Sequence, residues 1–287
     1  MNRSMITAVV SLQSMQQKLD VMANNIANVN TTGYKRRSAS FQDILTNVYQ
    51  QPPGFAQEGR LTPLGFPQGW GAKIGQIEVS LEQGALMPTG RDLDLGIEGN
   101  GLFEVVRDGV DENGNPNVAW TRDGSFQLTH DPANPSEMVL ATQQGDWVRS
   151  TTDEPIRVPV NYTIRIDEDG RVFATDPANP EAAPEEMGQL KMIRAVRPQV
   201  LIGDGNNLFT LPPGTAAEGI LEVVDPLTNN VDEQTKVAVR QGFLEQSNVS
   251  LTDEMTELMT VQRAYQLNAR AITSSDTLMS LTNNLRA

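Results

Sequence analysis

A chain with one histidine, His130, and no cysteine has few ways to build a nucleophilic site. A Ser-His-Asp triad would have to use His130, which stands beside Asp131 and Pro132 in turn-like sequence, and no thiolate is available as nucleophile or metal ligand. Carboxylates are plentiful, and a pair of them could cleave a cell-wall glycan by acid–base chemistry. No spacing singles out such a pair, so a solvated acidic surface is the preferred reading. Asp111, Asn113 and Asn115 imitate the start of a calcium loop, but Pro116 takes the glycine position and Arg122 that of the bidentate glutamate. Gly96, Gly99 and Gly101 lack the dinucleotide-binding spacing and precede no helical pattern that would present amides to a phosphate, which leaves them as a tight bend between strands. Lys35, Arg36 and Arg37 form the one dense basic run, better suited to a solvated loop after a helix than to docking an acidic partner. No catalytic residue, metal or cofactor is expected.

Composition narrows the field in the same direction. The 287 residues, 38% of them hydrophobic, suffice for a sizeable core, and a formal net charge of -14 opposes nucleic-acid binding or attachment to an anionic membrane. No run of about twenty apolar residues occurs, so no membrane insertion is expected. The apolar stretch Met5 to Val10 is too short for a secretory h-region and gives way to Ser11, Gln13 and Ser14; export, if it happens, is expected without a cleaved signal.

With chemistry this sparse, the elements themselves become the functional candidates. Met5, Ala8, Leu12, Met15, Leu19, Met22, Ile26 and Val29 recur at spacings of three and four, which predicts a helix over 3–29 with a heptad seam, ended near Gly33. Leu251, Leu258, Tyr265, Ile272 and Met279 fall seven apart and predict a second helix over 252–285, with Thr252 as candidate N-cap and Asp253 and Glu254 near the positive end of its dipole. Between them, residues 50–72 are rich in Pro, Gly and Gln and disfavour regular structure. Short alternating runs at 74–81, 93–106, 119–128, 137–141, 162–166 and 172–174, with turns at Asn113-Gly114, Asp123-Gly124 and Asp169-Gly170, predict a mostly antiparallel β domain. The fold class is thus α+β: long terminal helices packed as a coiled-coil-like pair, and a central β domain. The expected divisions are an N-terminal helix in 1–33, an irregular linker in 34–72, the β domain in 73–240, a linker in 241–251 and a C-terminal helix in 252–287.

Chain termini are ordinarily the least ordered parts of a domain, so strong heptads at both ends call for a partner surface. The expected assembly interface comprises Met5, Leu12, Met15, Leu19, Met22, Asn25, Ile26, Asn28, Leu251, Met255, Leu258, Val261, Tyr265, Asn268, Ile272 and Met279. Asn24, Asn25, Asn28 and Asn30 lie on the polar side and end of the first helix, where amides could bond between subunits or simply face water.

Particular motifs add a family resemblance. The stretch Ala23-Asn24-Asn25-Ile26-Ala27-Asn28-Val29-Asn30-Thr31-Thr32-Gly33-Tyr34-Lys35 resembles the N-terminal signature of flagellar rod and hook proteins. Gly242-Phe243-Leu244-Glu245-Gln246-Ser247-Asn248-Val249 and Gln262-Arg263-Ala264-Tyr265-Gln266-Leu267-Asn268 resemble the C-terminal one, and Leu93–Phe103 and Thr121–Phe126 resemble motifs of the family's β domain. Leu102 and Trp120 stand where the family often has Phe and Tyr, so the distal rod type and a related hook-basal body protein both remain open. The resemblance implies a structural, polymerising subunit of the flagellar basal body, with terminal helices in an inner tube and the β domain outside it. Implied partners are copies of itself, other rod and hook subunits, and the flagellar type III export apparatus. The rival readings are a secreted adhesin or wall-interacting module, and a wall hydrolase.

Overall fold

In a computed structural model the chain is described at residues 2–44, 47–49, 66–68, 71–110, 116–131, 134–177, 183–215, 217–224 and 237–286. It divides into two compact units. One comprises residues 1–26, 37–78 and 250–287; the other comprises 27–36 and 79–249. The chain therefore passes from one unit to the other four times. The first unit holds 8 basic and 8 acidic residues, and the second 14 basic and 28 acidic, so the whole net charge of -14 lies on the second.

The first unit is built on two helices, α1 (Asn2–Ala27) and α2 (Leu251–Arg286). Three side-chain contacts join them in antiparallel order. Asn25 donates to Glu254 at 3.3 Å, Lys18 pairs with Glu257 at 2.5 Å, and Asn268 approaches the Met15 sulfur at 3.3 Å. The start of α2 differs from expectation: Ser250, not Thr252, precedes the helix, and its hydroxyl accepts from the Asp253 amide at 3.5 Å. A serine just outside the first turn reaches an unpaired amide there, whereas Thr252 already lies inside the helix. Strands Arg37–Asp43 and Ala72–Val79 form a two-stranded sheet, and Asn47–Tyr49 pairs with Phe66–Gln68. The segment 34–72, irregular by composition, thus carries strands at both its ends. Buried Ser14 fastens α1 to this sheet, its hydroxyl 2.6 Å from the Ala72 carbonyl and 2.7 Å from that of Val10.

The second unit is antiparallel throughout its paired strands. Among the described residues its largest sheet has ten strands, with Leu102–Val110 at the centre between Pro116–Thr121 and Trp147–Val148. A three-stranded sheet of Thr163–Ile166, Arg171–Thr175 and Glu185–Gln189 follows, its first turn made by Gly170 at φ +75°. The alternating runs of the sequence supply one apolar face per strand. Those faces meet in a core containing Leu95, Ile97, Phe103, Val105, Phe126, Leu140 and Met192, where the rings of Phe103 and Phe126 stand edge to face at 5.1 Å. Leu102, Trp120, Ile193, Leu201 and Phe209 form a second cluster, as the opposite face of the Leu102–Val110 strand requires. The runs at 93–106 and 119–128 each break into two strands, because the residues at the breaks are occupied by the charge cluster described next.

Two short pairings draw residues 238–245 into this unit. Ala238–Gln241 lies beside Leu95–Glu98, and Phe243–Glu245 beside Leu86–Pro88, with Glu245 opposite Leu86.

Candidate assembly site

Three parts of the second unit, far apart in sequence, meet at the Glu245 carboxylate. Lys35 donates to its Oε1 at 2.6 Å, as does the Gly84 amide at 2.6 Å, and the Arg122 guanidinium pairs with its Oε2. Each of the three charged side chains is almost wholly shielded from water. Both cations have further partners. Lys35 reaches the Glu82 carbonyl at 2.6 Å, and Arg122 reaches the carbonyls of Ile97 at 3.0 Å, Gly99 at 2.7 Å and Gly101. The glycine-rich turn at 96–101 therefore wraps a guanidinium with its backbone oxygens. A cavity of about 10 Å³ beside the cluster, lined by Lys35, Gly101 and Arg122 among others, has room for about one water.

Burial, and after it the neighbouring Arg122, pushes the Lys35 ammonium down to about 8, against the pull of Glu245. Arg122 is likewise lowered by burial and held up by Glu245. This corrects the reading of Lys35 as part of a solvated basic loop. A lysine can be buried here because a carboxylate 210 residues away supplies its counter-charge.

Around the cluster the backbone is pinned by more polar contacts. The Asn248 side chain accepts from the Arg36 amide at 2.7 Å and donates to the Ser80 and Glu82 carbonyls at 3.0 Å each. The Ser80 amide donates to the Arg36 carbonyl at 2.8 Å, and the Gly33 amide to the Glu245 carbonyl at 2.8 Å. Gly33 sits at φ +67°, and a Cβ there would come within 2.6 Å of the Asp123 nitrogen, so both backbone and space call for glycine.

On α1 the expected interface positions Met5, Leu12, Met15, Leu19 and Ile26 are half-buried in the isolated subunit and Met22 is fully buried. On α2 Leu258, Tyr265, Asn268, Ile272 and Met279 are half-buried and Val261 buried, whereas Leu251 and Met255 are 40% and 49% exposed. The shielded face of α2 runs through Glu254, Leu258, Val261, Tyr265, Asn268, Ile272, Ser275 and Met279, alternating steps of four and three. Three polar residues, Glu254, Asn268 and Ser275, thus sit in a stripe that apolar spacing alone could not trace. Asn25 is buried, and its amide both accepts from the Arg37 N–H at 3.0 Å and donates to the Arg37 carbonyl at 2.8 Å. Asn28 is half-buried and accepts from Thr31 at 3.2 Å. The large apolar side chains that α1 and α2 leave exposed are Ile6, Val9, Leu251, Met255, Met259, Leu267, Leu278, Leu281 and Leu285, among the described residues.

The residues weighed for chemistry are dispersed. His130 is exposed at the end of the strand Gln127–His130, while the Asp131 carboxylate beside it is held by Arg157 at 2.9 Å. Arg122, the misfit in the calcium-loop pattern, is the guanidinium of the buried cluster, and 111–115 lie outside the described residues. No helix among the described residues is long and apolar enough to cross a membrane.

Comparison with known proteins gives three family matches: flagella basal body rod protein over residues 5–35, flagellar hook protein FlgE/F/G D1 domain over 96–174, and flagellar basal body rod FlgEFG protein C-terminal over 240–285. The flagellar basal-body rod protein FlgG of Borreliella burgdorferi is 34% identical over 290 residues, covering 100% of this chain and 99% of its own. From Bacillus subtilis, the flagellar hook-basal body complex protein FlhP and the rod protein FlgG are each 32% identical, with 100% of both chains covered. The chain belongs to the flagellar basal-body rod and hook protein family. As a member of that family it is a structural rod/hook subunit of the flagellar basal body. Each rod-and-hook region contributes one member of the charge cluster: Lys35 closes the first, Arg122 lies in the second and Glu245 in the third.

Proposed function

We propose that the subunit acts mechanically and not as an enzyme, polymerising with copies of itself and with other rod and hook subunits through α1 and α2. The observation that carries this reading is the row of apolar side chains that both helices leave in water, which a lone subunit has no reason to keep. Burying each such Leu, Ile or Met against a neighbour contributes roughly 1.5–3 kcal/mol. The seam from Met5 to Ile26 and from Leu258 to Met279 packs as a coiled-coil-like pair, and Leu251 and Met255 face the next copy. Contacts of this kind are heterologous and, where the rotation does not close, extend into a helical filament that transmits torque. The subunit reaches its place through the flagellar type III export apparatus. Family membership and the sparse reactive chemistry support these statements together.

Electron microscopy of basal bodies from a strain lacking the protein tests the reading. A truncated or missing segment of the rod or hook, with loss of motility, is expected. An intact axis with normal swimming would overturn it and return weight to an adhesin or wall-binding module.

A further inference from the structure

We propose that Glu245, with Lys35, Arg122 and Asn248, is the clamp through which force enters and leaves the β unit. The inference rests on the reading of the protein as a torque-transmitting subunit and names the residues that make transmission possible.

The chain crosses between the two units after Ile26, Arg36, Glu78 and Val249. A single extended strand transmits tension but bends under torque unless its end is fixed. Three segments of the β unit adjoin those crossings: residues 27–36, the stretch beginning at Val79, and the stretch ending at Val249. The cluster ties these three to one another. Lys35 bonds Glu82 and Glu245, and Asn248 bonds Arg36, Ser80 and Glu82. Arg122 then ties the bundle to the body of the unit through Glu245 and the carbonyls of Ile97, Gly99 and Gly101.

The chemistry suits a joint better than a core. An ion pair this deeply buried adds little net stability over apolar residues of the same volume, so stability alone does not account for it. What directional hydrogen bonds provide is one permitted geometry, whereas the hydrophobic effect carries no directional preference of its own. With space for about one water, the site also has no room for a ligand.

The test uses the full-length chain carrying Asn248→Ala, which leaves the buried ion pairs intact, studied by amide hydrogen exchange and returned to a strain that lacks the protein. Exchange at Arg36 and Ser80 is expected to quicken about tenfold while the ladder between Phe103 and Thr121 keeps its protection. In cells the rod is expected to form and the bacteria to swim in thin medium, with rotation failing at lower viscosity than in the parent. Wild-type performance under load, despite loosened crossings, would overturn the clamp and leave the structural reading intact. So would even loss of protection across the whole β unit, which would make Asn248 a general fold residue, or a folded variant that builds no rod. Intact rods in the strain lacking the protein altogether would instead overturn the underlying reading.

Discussion

Glu245 neutralises two buried cations at once, which makes its removal unlike the removal of either partner. Glu245→Ala strands Lys35 and Arg122 together in a site closed to water and should cost about 3–5 kcal/mol in urea denaturation. Lys35→Met leaves the Arg122–Glu245 pair in place and should cost distinctly less; the opposite order would contradict the cluster as drawn. The Lys35 ammonium also makes a pH-dependent contribution of definite sign. Its value is about 8 in the folded chain against 10.5 in the unfolded one, so between those values the unfolded chain binds more protons and stability rises with pH. Wild type should therefore gain on Lys35→Met by on the order of 3 kcal/mol from pH 8 to 10.5, with no such gain below pH 8. Gly33→Ala should cost about 1–3 kcal/mol, since the new methyl meets the Asp123 backbone in a conformation that already disfavours it. A thermal melt would register it.

Among the elements, the helices were plainest in the sequence, because apolar residues at steps of three and four have no other simple explanation. Their expected bounds differ from α1 and α2 by one or two residues at each end. Glu254 and Ser275 were invisible, since a buried polar residue in a seam looks like one facing solvent until its partner is known. Lys35 was misread for a related reason: a Lys-Arg-Arg run after a glycine resembles a surface loop, and the Glu82 and Glu245 groups it meets lie 47 and 210 residues away. Strand existence was legible from alternation, and the breaks inside 93–106 and 119–128 were marked by the glycine bend at 96–101 and the Asp123-Gly124 turn, but that the bend supplies carbonyls to Arg122 was not. Leu19→Asp or Ile272→Asp places a charge in the half-buried face of α1 or α2 and should stop rod assembly while leaving the β unit folded. Full motility restored by either variant would remove those positions from the interface.

For the molecule as a whole, the units are interleaved in sequence, so the β unit needs the chain almost to its end. A chain stopped at residue 240 lacks the strand Phe243–Glu245 and with it the carboxylate that pairs with both Lys35 and Arg122. Circular dichroism should find it poorly folded, whereas limited proteolysis of the dilute full-length subunit should trim α2 from its C-terminal end and leave a core reaching about residue 249. The uneven division of charge acts at the same scale. When copies gather, the helix-bearing units meet with no net electrostatic opposition, while each β unit brings the entire surplus of -14 toward its neighbours. At physiological salt that repulsion fades beyond about 8 Å, so growth of a polymer should be governed by dissolved ions even though the helix-bearing units carry no net charge. Dilution into low-salt buffer would then favour free subunits, and a modest addition of sodium chloride would bring them back into fibres.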